Sequence, residues 1–113
     1  MAWIVLSKAE EVEVIKAKSF EKPQCIFKHS TRCSISGIAK NRLEAQLSTL
    51  SVQADLYYLD LLSYRSISNL VSDIFKVPHE SPQLLLIKNG ECVFEESHLG
   101  IQSEEIRLQI QQA

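Results

Sequence analysis

Glycine and proline are scarce, three of each in 113 residues, which excludes a collagen-like, linker-rich or low-complexity chain. Basic runs are missing too. No two Lys or Arg residues are adjacent and the net charge is −2, so nothing suggests a partner that is a nucleic acid or an anionic membrane. Long hydrophobic runs are absent. The opening "MAWIVLSKAEE" holds about five apolar residues with no positive stretch ahead of them, short of a signal peptide's apolar segment and far short of a membrane span. The expected location is therefore the cytosol. Cysteine is limited to Cys25, Cys33 and Cys92. An odd number cannot be fully paired within one chain, and the spacing fits no metal site, so neither a disulfide framework nor a bound metal is expected.

What is present reads as a compact folded domain: 45% hydrophobic and 23% charged residues, without repeat or linker, hence one domain over 1–113. "AWIVL" suggests a short buried strand. Ser7 and Glu10 stand at capping-box spacing ahead of a helix to about Phe20. "CIFKH" suggests a second strand, and Ile35, Ile38, Ala39, Leu43, Leu47 and Leu50 keep helical spacing from Cys33 to about Leu50. "DLYYLDLL" reads as a third strand. Ile67, Leu70, Val71, Ile74 and Phe75 mark a helix that halts before Pro78. "QLLLI" and "ECVFEE" flank Asn89 and Gly90, the chemistry of a tight antiparallel hairpin. Ser103 is the expected cap of a last helix, with Glu104 and Glu105 in its first turn. The order βαβαβαββα implies an α/β fold, a mixed sheet of about five strands with helices on both faces.

The stretch "FKHSTRCSIS", residues 27 to 36, carries the chemistry. As N-cap of the helix that follows it, Cys33 would face the unpaired amides of the first turn, which favour a thiolate. A thiol with a pKa of about 8.5 is only ~3% ionised at pH 7, whereas one near 6 is ~90% ionised. Arg32 is the adjacent cation. Ser36, three places on, can offer the sulfur a hydrogen bond but no intramolecular disulfide, so Cys33 must work through a mixed disulfide. His29 could tune the thiol or relay a proton, or simply make a structural hydrogen bond at a strand end. Cys25 and Cys92 read as buried, inert cysteines. Cys25 as a distant resolving thiol stays open.

The element order resembles the thioredoxin fold, whose reactive cysteine stands where Cys33 does. "CSIS" matches that fold's CxxC as a monothiol CxxS version. Pro82 in "ESPQLLLI" stands where the fold keeps a cis-proline. Where thioredoxin has a buried aspartate, six places before the cysteine, this chain has Phe27, in keeping with a single working thiol. "FKHSTRCSIS" with "SPQLLLIKNG" further resembles the small bacterial monothiol bacilliredoxins of the bacillithiol system. Their motif is Cys-Pro-Ile-Ser, and Ser34 replaces the proline here, a change that bears on thiol tuning.

This resemblance implies a thiol-disulfide oxidoreductase with no bound cofactor, bacillithiol as co-substrate and bacillithiolated proteins as clients. It implies that Ser81 pairs with the substrate backbone beside Pro82. It also implies that Arg32, Lys28 or Lys40 meets the malate carboxylates of the small thiol, although Lys40 and Arg42 equally suit a solvated helix face. Two other readings remain: an iron–sulfur carrier resembling monothiol glutaredoxins, and a redox-silent thioredoxin-like binding module.

Overall fold

The central strand of the molecule is buried on both faces, and the rest of the chain is arranged to cover it. The architecture comes from a computed structural model that describes residues 3–30 and 34–112, of Leu47 only the backbone. The elements are β1 (Trp3–Val5), α1 (Glu10–Lys18), β2 (Gln24–His29), α2 (Ser34–Glu44), α3 (Leu47–Gln53), β3 (Asp55–Asp60), α4 (Arg65–Phe75), β4 (Gln83–Lys88), β5 (Glu91–Ser97) and α5 (Ser103–Gln111). A single 3₁₀ turn, His98–Gly100, precedes α5.

The five strands lie in the order β1-β3-β2-β4-β5. β1 and β2 both run parallel to β3, and β4 is antiparallel to β2 and to β5. Every residue of β2 is buried, because α1 and α4 cover one face of the sheet and α2, α3 and α5 the other. Val12, Ile15, Val71 and Phe75 join Ile26 and Leu85 on the first face. Ala39, Leu43, Leu50 and Ile106 join Phe27, Leu84 and Leu86 on the second. The expected α/β fold with a mixed five-stranded sheet is what forms. Among the described residues no helix is long and apolar enough to cross a membrane.

Four local expectations change. β1 is an edge strand rather than a buried one, with Ile4 and Val5 41% and 59% exposed, since nothing covers the outer edge of a sheet there. The α1 capping box closes on Glu11 instead of Glu10: its Oε1 accepts from the amides of Ser7 at 3.1 Å and Lys8 at 2.8 Å. The long helix predicted from Cys33 to Leu50 is two helices, broken at Ala45 and Gln46, where Gln46 leaves helical geometry at φ −118°. Leu43 and Leu50 are buried in the same cluster across the break, so apolar spacing could not disclose it. Ser103 is the first residue of α5, not its cap; Gln102 takes that position without a side-chain hydrogen bond.

The hairpin forms as expected, with Asn89 at φ 53° and Gly90 at φ 80°. Its tip docks on the end of α1, where the Asn89 amide reaches the Ser19 carbonyl at 2.9 Å and the Gly90 amide the Ser19 hydroxyl at 2.8 Å. α4 stops at Lys76, left-handed at φ 58°, two residues before Pro78.

Candidate active site

β2 ends at His29 at one end of the sheet, Ser30 follows it, and α2 starts at Ser34. Thr31, Arg32 and Cys33 between them lie outside the described residues, and with them the expectations for Arg32 and Cys33. Ser34, the residue in the proline position, is the exposed first residue of α2.

Two of the expected residues are brought together. Ser36 is fully buried; its hydroxyl accepts from the Ser30 amide at 3.0 Å and lies 2.7 Å from His29 Nδ1. An oxygen that accepts from an amide has its own proton to give, which suits an unprotonated Nδ1 and a ring proton on Nε2. Sequence reasoning aimed this hydroxyl at a sulfur. That sulfur lies outside the described residues; among those described, the hydroxyl's partners are the backbone and the imidazole at the end of β2.

His29 is buried. Its ring stacks on Phe27 with centroids 5.8 Å apart and tilts against Tyr58 at 5.5 Å. Burial, then the Lys40 charge, push its pKa below the ordinary histidine value, against the smaller raising effects of the Ser36 contact, Asp60 and Glu44. The ring is therefore neutral at neutral pH.

Just before β4 the Ser81–Pro82 bond is cis, as the thioredoxin resemblance implied. The register that pairs Lys28 with Gln83 places Pro82 one step further, beside His29. The Pro82 carbonyl is taken by the His98 amide at 3.0 Å. The Ser81 hydroxyl is buried without a hydrogen-bond partner among the described residues.

Lys28 is a correction. It was expected among the cations that meet a ligand's carboxylates, but it is fully buried and points to the opposite face of the sheet from Phe27 and His29, because successive strand residues alternate. Its Nζ donates to the Ser68 carbonyl at 3.1 Å and the Ser72 hydroxyl at 2.9 Å, and lies 3.4 Å from His79 Nδ1. Burial lowers its pKa to about 8. A lysine in the apolar run "CIFKH" was the signal for this inward placement.

The other two thiols are unsuited to exchange. Cys25 lies in the core beneath α2, α3 and α5, and burial pushes its pKa up to about 12. Cys92, half-buried in β5, donates to the Phe94 carbonyl at 3.3 Å, and burial raises it to about 11. Among the described residues no group of three or more His, Cys, Asp or Glu is placed to hold a metal ion.

Sequence reasoning passed over the aromatic wall of this region. Trp3, Phe27, His29 and Tyr58 form a continuous chain of ring contacts that only the side-by-side placement of β1, β3 and β2 creates.

Comparison with known proteins agrees with this geometry. The family model described as monothiol bacilliredoxin BrxC matches residues 4–106. A solved protein described as a candidate oxidoreductase with a thioredoxin fold is similar at 29% identity and TM-score 0.84, over 98% of this chain and 95% of that one. A thioredoxin of Malassezia sympodialis is similar at 14% identity and TM-score 0.73, over 97% and 88% of the two chains. One of Fasciola hepatica is similar at 18% identity and TM-score 0.69, over 94% of each. The two thioredoxins speak to the fold alone.

Proposed function

The chain belongs to the monothiol bacilliredoxin BrxC family, and from that membership and its redox role we propose that it removes bacillithiol from protein mixed disulfides in the cytoplasm, with Cys33 as nucleophile. Cys33 directly precedes α2, so the unpaired amides at the helix start, assisted by Arg32, favour its thiolate.

The thiolate attacks the bacillithiol sulfur of the client's mixed disulfide. A bond forms between Cys33 and that sulfur, the client's sulfur–sulfur bond breaks, and the client cysteine leaves as a thiolate that takes a proton from water. A second bacillithiol thiolate then attacks the Cys33 adduct, which releases oxidised bacillithiol and restores the Cys33 thiolate. Ser81, beside Pro82, is the residue we assign to backbone pairing with the client. His29 and Ser36 tie the end of β2 to the first turn of α2, and Ser34 at the start of that helix is exposed.

One observation carries the monothiol route. The position that would hold a resolving cysteine is Ser36, buried and hydrogen-bonded, while the other two thiols are pushed to high pKa by burial. A resolving thiol must therefore come from outside the chain.

The test is intact-mass analysis after incubation with a bacillithiolated client, wild type against Cys33→Ala. The adduct is expected on wild type and not on the variant. A client that keeps its adduct, or loses it equally to the variant, would refute the proposal.

A further inference from the structure

One side of α2 leads from its N-terminal end to a cavity that the exchange chemistry leaves unused. Gly37, Lys40 and Glu44 stand three and four residues apart on α2, the spacing that aligns positions along one helix face. Gly37 leaves this track bare, with no neighbouring atom within 4 Å of where a Cβ would stand. The track ends at a cavity of about 230 Å³ lined by Trp3, Val5, Lys40, Glu44 and Tyr58.

The cavity wall is aromatic. Trp3 stacks on Phe27 at 5.8 Å and meets Tyr58 edge-on at 5.9 Å. Its rim carries both signs of charge: Lys40 Nζ lies 3.6 Å from Glu44 Oε2 and 5.6 Å from the centre of the Tyr58 ring. The Trp3 indole N–H donates to Glu44 Oε2 at 3.0 Å. Because β1 is a sheet edge, the mouth is open, with Val5 59% exposed.

We propose that this cavity is the subsite for the sugar and malate portion of the small thiol that Cys33 exchanges. The inference rests on the exchange reading above and adds what recognises the thiol. A pyranose presents an apolar C–H face that suits the Trp3 and Tyr58 rings, its hydroxyls can donate to Glu44, and the malate carboxylates are the counter-charge for Lys40. Lys40 and Glu44 pair with each other at the rim, each about one-third exposed, an arrangement weak enough to be exchanged for a ligand. From Ser34 to Lys40 the helix rises about 9 Å, a distance on the scale of an extended glycoside.

The test uses N-acetylglucosaminyl malate, which keeps sugar, amide and carboxylates but has no sulfur, so its binding is independent of disulfide exchange. Trp3 is the chain's one tryptophan, and its indole N–H resonance reports directly on the cavity. Wild type is expected to give a saturable shift, Lys40→Ala about fivefold weaker binding, and Val5→Trp, which fills the cavity from an exposed position, none. No saturable shift in wild type, or equal affinity in all three proteins, overturns the subsite. A saturable wild-type shift without adduct transfer to Cys33 would instead overturn the exchange reading and leave a glycoside-binding cavity.

Discussion

Ser36 joins the end of β2 to the first turn of α2 through one buried hydroxyl, which serves both the Ser30 amide and His29 Nδ1. Removing it costs the native state two buried contacts at once. Ser36→Ala is expected to lower stability by about 1–3 kcal/mol, read as a lower urea midpoint, and an unchanged midpoint would show that the contact is dispensable. The sequence marked His29 and Ser36 as candidates, because both stand close to Cys33 in the chain. It did not show that they touch, since that depends on the angle at which α2 leaves β2.

Lys28 belongs to the scale of elements, because it ties β2 to α4 through the Ser68 carbonyl and the Ser72 hydroxyl. Its pKa is about 8 in the folded protein and 10.5 ordinarily, so between these values the unfolded chain binds more protons than the native one, and native stability rises with pH. Above 10.5 the amine is neutral in both states and its burial penalty is gone; as pH falls through 8 the penalty becomes complete. Urea midpoints of wild type and Lys28→Met, compared at pH 7.5 and pH 10, should therefore move in favour of wild type at the higher pH. A pH-independent difference between them would refute a strained buried cation. The helices and strands themselves were legible because periodicity and turn chemistry are local, as with Ile67 to Phe75 and with Asn89–Gly90. The break at Ala45–Gln46 was not, because no glycine or proline marks it and the apolar spacing runs through it.

At the scale of the whole molecule, the sheet decides which thiols can react. Cys25 sits on the central strand under three helices and Cys92 is half-buried on the edge hairpin, and both have raised pKa values. Iodoacetamide at pH 7.5 should add one carbamidomethyl group to the native protein, on Cys33, and three after unfolding in urea. Intact mass reads both numbers. A second adduct on the native protein would contradict the burial of the remaining thiols.

By itself the sequence determined the α/β element order, the strand-to-helix junction at Cys33 and the single-thiol motif, because periodicity, turn residues and motif spacing are properties of neighbouring residues. Only the tertiary structure decided that Lys28 meets Ser68 and Ser72 of α4, that His29 meets Ser36, and that Trp3 and Tyr58 wall a cavity beside Lys40 and Glu44. Those outcomes depend on strand order and on which sheet face each helix covers. Contacts between residues dozens of positions apart set both, and no short window of sequence contains them.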